Sequence, residues 1–172
     1  MSLLRNKYVK ILLLGTLYCT EAVSQCESPV LPVNPAFDRA TDYRNHDRKA
    51  AECLAWLLDA SNARCAEERE GVNAFVLVWL SGHPDVRVEV QTEQLPFLDQ
   101  HPELLFPWLH GAAECALQNR KASTLEISKS GLMAVCTFAR KQKDLKKDPE
   151  IKRLRKALRR HKVEEYLQGS KK

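Results

Sequence analysis

No stretch of the 172-residue chain approaches the ~20 consecutive apolar residues that a bilayer-spanning helix needs. The longest apolar run, Ile11 to Cys19, is too short to anchor the chain. Also missing are any CxxC pair, the CxxCH signature of haem attachment and the HExxH motif of zinc proteases. The G-x-S-x-G nucleophile elbow, the P-loop and the dinucleotide fingerprint are absent too. These absences remove the sequence-recognisable routes to haem, sulfur-ligated zinc, serine acyl transfer and nucleotide chemistry. No cofactor is implied, and the balance of the sequence is against catalysis.

What the N-terminus does contain is an export pattern. Arg5, Lys7 and Lys10 precede the apolar run, no acid appears before Glu21, and Ala22-Val23-Ser24 offers the small residues a signal peptidase requires. We expect 1–24 to be a signal peptide, which makes the mature chain exported, soluble, and periplasmic or extracellular. Lipidation at Cys19 or Cys26 ranks second, since Tyr18 and Gln25 are poor neighbours for a modified cysteine. A cytosolic N-terminal helix ranks third.

Charge is unevenly placed. From Arg140 to Lys172 there are fourteen Lys or Arg against five Asp or Glu, net +9, whereas 25–139 carries −6. An acidic body therefore precedes a basic tail region. With five cysteines after Ser24, at least one must stay outside any intrachain bond. Cys53 and Cys65 flank an expected helix-to-helix turn, and a bond there would staple the hairpin if their Cα atoms came within ~7 Å. Cys53 lies further from that turn, so the spacing does not compel the pairing. Cys115 and Cys136, on apolar helical faces, read as small buried hydrophobes.

Periodicity gives the fold class. Proline-rich 25–40 reads as an extended, poorly ordered lead-in, 41–168 as the helical domain and 169–172 as a disordered tail. A first amphipathic helix spans about Asp42 to Asp59. A second runs from near Arg64 to Leu80, becomes apolar almost all round and so should sit centrally, with Gly82 as its left-handed cap. Val86 to Val90 alternates like a strand without a partner and should lie extended across helices. Pro102 opens a third helix that Pro107 should kink, with Leu105, Trp108 and Leu109 in its stripe. Ser123 with Glu126 forms a capping box for a fourth helix burying Leu125, Leu132 and Val135. Asp148-Pro149 starts a fifth, and a break is due near His161 before a short terminal helix packs Tyr166 on the body. The expectation is an all-α, single-domain bundle of about five main helices with one extended segment near 86–90. Trp56, Phe75, Trp79, Leu105, Trp108, Leu132, Val135 and Leu158 are its expected core.

Three blocks carry a resemblance. Asn73 to Asp85, Pro102 to Leu105, and Lys146-Lys147-Asp148 leading to Lys162 to Leu167 resemble a family of small exported, helix-rich bacterial proteins without assigned activity. The resemblance implies an exported helical fold and no mechanism.

Candidate chemistry is sparse. His110 and Glu114 stand four apart and could share a divalent metal, but a third ligand would have to come from His101, His83 or His46. The commoner explanation is a surface His and Glu pair. Ser81-Gly82-His83-Pro84 is accounted for by helix termination. The basic helix offers an interaction face: Lys152, Arg153, Arg155, Lys156, Arg159 and Arg160 lie opposite Ile151, Leu154 and Leu158. Such a face suits anionic lipid head groups or an acidic protein, with nucleic acid an improbable client for an exported chain. Its usual explanation is a solvated face, with docking onto the acidic body as one variant of it. The apolar side also lacks the Trp or Phe of interfacial helices. The leading reading is a non-catalytic binding or interaction protein whose partner is a protein or envelope component. Alternatives are a metal-binding protein or metal-dependent enzyme at His110 and Glu114, and an envelope-surface binder through the basic helix.

Overall fold

The computed structural model describes residues 26–169, and the expected signal peptide 1–24 lies outside them. Among the described residues the architecture is all-α, with seven α-helices, five short 3-10 turns and no strand. The expected first helix is divided at His46 (φ −96°, ψ 1°) into α1 (Ala40–Asn45) and α2 (Asp47–Leu58). The division lets the two pieces serve different neighbours. On α1 the Tyr43 carbonyl accepts from the Trp79 indole at 3.2 Å, while α2 buries Ala50, Cys53, Leu54 and Leu57.

Helix α3 (Ala66–Gly82) buries Val72, Phe75, Val76 and Trp79. It is not the central helix its composition suggested. Leu77 and Val78 are 38% and 49% exposed, because α1, α2 and the lead-in cover one side only. Gly82 is likewise not a left-handed cap; it is the last residue of α3, and no described glycine has positive φ. A side chain there would collide with the Tyr43 ring, so the glycine is needed for close approach rather than for backbone freedom. The lead-in is also held more firmly than expected, since Leu31 and Phe37 pack on the α2–α3 cluster. Phe37 meets Tyr43 at 5.0 Å and Phe75 at 6.0 Å between ring centroids.

The segment 86–90 is extended without a ladder, as its lone alternation required. Val86 is buried and Val88 touches both apolar clusters of the molecule. A 3-10 turn at Pro102–Leu104 then feeds α4 (Leu105–Gln118). Pro107 is the third residue of α4, where the missing N–H has no intrahelical acceptor to lose, so no kink is demanded. Leu104 rather than Leu105 is fully buried, a shift of one position.

Helix α5 (Thr124–Ala139) starts at the expected capping box: Ser123 Oγ accepts from the Glu126 N–H, and the Glu126 carboxylate accepts from the Ser123 N–H at 2.7 Å. Leu125, expected inside, is 37% exposed in the first turn, while Leu132 and Val135 are buried. The most extensive helix pair is α4 with α5. Glycines set its closeness. A Cβ on Gly131 would lie 2.8 Å from the Trp108 carbonyl, and one on Gly111 2.8 Å from the Ser130 carbonyl. Both contacts are with backbone, so neither helix could yield without separating.

Asp148 Oδ1 accepts from the Ile151 N–H at 2.8 Å and caps α6 (Pro149–Arg159). His161 takes a positive φ of 56°, the chain reverses, and α7 (Val163–Gly169) returns. Gly169, placed in the tail by the sequence, ends α7; Ser170 to Lys172 lie outside the described residues. Tyr166 is buried and donates its hydroxyl to Glu150 at 2.9 Å. Two apolar clusters result. One, around Trp79, joins α2, α3 and part of α4; the other, around Trp108, joins α4 to α7, with Val88 and Ile127 touching both.

Candidate functional site

The helical period makes His110 and Glu114 neighbours, and the packing around α4 decides their fate. His110 faces the interior of α4, 1% exposed, with neither ring nitrogen hydrogen-bonded. Desolvation, with the charge of Arg69 adding to it, pushes its pKa down to about 3, so the ring is neutral. Glu114 is half-buried and accepts from Gln118 at 3.3 Å. The structure brings no third ligand to them: the one trio of ligand atoms among the described residues is Cys26, Cys65 and Glu68. Its two sulfurs are joined in a disulfide.

The other histidines named as third ligands serve elsewhere. His101 reaches Asp148 at 3.4 Å and Glu103 at 3.3 Å. His46 packs against Phe37 and Phe75. His83 accepts at Nδ1 from the N–H groups of Asp85 and Val86, both at 3.0 Å. Its proton must therefore sit on Nε2, which donates to Asp47 Oδ1 at 2.9 Å. Arg120 holds the other Asp47 oxygen at 2.6 Å. With its acceptor nitrogen occupied, His83 cannot take a proton from Ser81, whose hydroxyl donates to the Val78 carbonyl. This histidine ends α3 and pins the start of the 86–90 connector. That role was invisible in the motif Ser81-Gly82-His83-Pro84, because Asp47 lies 36 residues away.

The disulfide differs from the one the sequence offered. Cys65 bonds Cys26 of the lead-in, with Cα atoms 5.8 Å apart, and not Cys53. Cys53 points into the α2–α3 core with no exposed surface, and burial raises its thiol pKa to about 11. Cys115 and Cys136 are also free, the first half-buried and the second buried.

The basic helix builds the most developed surface feature. Ile151 and Leu154 seat α6 on the body, while Lys152, Arg153, Lys156, Arg159 and Arg160 stay exposed and Arg155 is half-buried. Arg153 pairs with Glu150 at 3.3 Å and lies over the Tyr166 ring at 5.1 Å. Arg155 donates to the Lys146 carbonyl at 2.8 Å. The remaining four have no carboxylate within ion-pair distance among the described residues. Among the described residues the face is solvated and is not docked on the acidic body; from the basic region, Lys141 reaches across to lie 3.9 Å from Asp59.

Between α5 and α6 runs a groove of about 610 Å³. Met133, Cys136 and Leu158 form its apolar floor, and Arg140, Lys152, Arg155 and Arg159 its rim. Among the described residues no carboxylate lines it. The chain matches no known protein family, curated protein or solved structure. Chemistry must therefore be read from the groove alone. Burial raises the Cys136 thiol to about 11, so it is protonated at neutral pH and a poor nucleophile. The arrangement can attract and hold an anion beside apolar surface. Sequence reasoning found the α6 cations but missed Arg140 and Met133. The available signal was the i, i+3, i+7 spacing of Lys152, Arg155 and Arg159 flanking Leu158, which marks a helix edge facing a neighbour.

Proposed function

We propose that the protein is an exported, non-catalytic binding protein that engages an anionic partner of the cell envelope through the basic α5–α6 surface. The observation that carries this reading is the uncompensated rim: four cations around an apolar floor, with no acid among the lining residues. Holding like charges together is unfavourable in the free protein and becomes favourable when an anion arrives. Export is supported by the N-terminal pattern and by the Cys26–Cys65 disulfide, a bond that persists in oxidising compartments. Membership of the exported helix-rich bacterial family belongs to the same proposal. Nothing comparable favours the metal reading, because His110 is enclosed and no ligand trio among the described residues includes it.

Binding to vesicles of phosphatidylglycerol and phosphatidylcholine should be strong at low salt and fade as salt rises, with little affinity for phosphatidylcholine alone. At ~1 kcal/mol per cation near an anionic surface, Lys152→Glu with Arg159→Glu should weaken it more than tenfold. Equal affinity for neutral vesicles would count against the proposal. Independently, the intact mass of the exported form should correspond to a chain starting at Gln25, two hydrogens lighter for the disulfide. Recovery of the form starting at Met1 from cytosol would contradict export.

A further inference from the structure

We infer that the α5–α6 groove seats a single-chain lipid with a phosphate head, an inference that rests on the anionic-partner reading and names its ligand. The groove is amphipathic at the scale of one molecule: its 610 Å³ falls within the range of small-molecule sites. Its apolar part comes from three side chains. Met133, 53% exposed, lies with Leu158 and the edge of Cys136 on the floor, a strip that suits one alkyl chain rather than two. Met133 is unbranched and polarisable, a side chain that adapts to an alkyl guest.

An acidic peptide fits less well. The floor comes from two helices whose backbone groups are already paired, and the one hydroxyl there, on Thr137, accepts from Arg140 at 3.4 Å. The N–H groups of a peptide laid on that strip would lose water and meet no carboxylate among the lining residues to accept from them, a cost an alkyl chain does not incur. The head group follows from the rim. Arg140, Arg155 and Arg159 offer planar forks that match phosphate oxygens in pairs, and Lys152 adds a point charge. Arg155 spends one Nη on the Lys146 carbonyl, which fixes the guanidinium while leaving other N–H groups free. Four cations without an acid suit a phosphate monoester, which carries close to two charges at neutral pH, better than a singly charged carboxylate.

The test uses the full chain and dodecyl phosphate below its micelle concentration, followed by calorimetry. Binding should be one to one and tighten about fourfold for each methylene added to the chain. Inorganic phosphate alone should bind at least a hundredfold more weakly, and dodecyltrimethylammonium should not bind. Met133→Gln on the floor and Arg140→Glu on the rim should each weaken dodecyl phosphate at least tenfold. Lys156→Glu with Arg160→Glu, outside the groove, should leave it within threefold. Both groove positions border solvent, so each variant should fold, as circular dichroism would check.

Dodecyl phosphate binding no better than inorganic phosphate, or indifferent to Met133→Gln and Arg140→Glu, would overturn the inference. Tighter binding of an acidic amphipathic peptide, or a dimer that Arg140→Glu dissociates, would overturn it equally. Should anionic vesicles still bind in those cases, the groove ligand fails while the broader reading stands. Loss of vesicle binding as well sinks both.

Discussion

Acidification is expected to cost the fold about 4–5 kcal/mol through His110 alone. In the folded protein this imidazole titrates only near pH 3, while in the unfolded chain it returns to the ordinary value of 6.5. Between those values the unfolded state binds the extra proton, so stability rises with pH. The His110 contribution is intact above pH 6.5 and is lost steadily toward pH 3, at about 1.4 kcal/mol per pH unit. Paired carboxylates such as Asp85, held low by the Arg44 guanidinium, add a separate loss at lower pH. The two are separable by mutation. His110→Leu, of similar volume, should remove most of the dependence between pH 6.5 and 4. It should also raise stability at neutral pH by about 1–3 kcal/mol, because both ring nitrogens are buried without partners. Urea unfolding at several pH values reads both effects. A wild-type stability that stays flat from pH 6.5 to 4, or a leucine variant weaker than wild type, would contradict the burial assigned to His110.

Opening the Cys26–Cys65 bond is expected to lower stability by nearly as much. The bond closes a loop with a sequence separation of 39 residues, and denying the unfolded chain that constraint costs about 4 kcal/mol in the chain-entropy treatment. Consequences should be local before they are global. Leu31 and Phe37 pack on α2 and α3, so the reduced protein should first loosen the lead-in and expose Phe75. Cys26→Ser with Cys65→Ser should therefore raise proteolysis within 26–39 and lower the unfolding midpoint. Helicity at 20 °C should remain. Cys53→Ser, by contrast, should not change the number of free thiols that disappear on oxidation. If it did, Cys53 and not Cys26 would be the partner of Cys65.

The parts of this structure legible from sequence are those fixed by short-range chemistry. Ser123 with Glu126, and Asp148 before Pro149, are capping signals complete within four residues, and both helices start where those residues stand. The break at His161 was visible because Val163 and Tyr166 leave the stripe of Ile151 and Leu154. What was not legible depends on distant partners. Gly82 looked like a helix cap, and its reason is the ring of Tyr43, 39 positions earlier. The composition of α3 suggested a central helix, yet burial depends on how many neighbours arrive, and Leu77 and Val78 stay 38% and 49% exposed. Cys65 had a sequence-near candidate in Cys53, but facing directions rather than spacing decide a disulfide.

For the site the same division holds. The cations of α6 were readable as a face because a helix of eleven residues repeats them on a 3.6-residue period. The groove was not, because its other wall, with Met133 and Arg140, comes from α5. The metal hypothesis shows the converse: His110 and Glu114 share a side of α4, but periodicity cannot say whether that side meets solvent or the interior. It meets the interior at His110.

Whether an anionic partner sits on the basic α5–α6 surface can be read residue by residue from backbone amide shifts of the uniformly labelled protein titrated with phosphatidylglycerol nanodiscs at low salt. The largest changes should cluster at Met133 to Arg140 and Lys152 to Arg159 and vanish at high salt. Changes centred instead on the exposed Leu77 and Val78 of α3, or unaltered by salt, would contradict that placement.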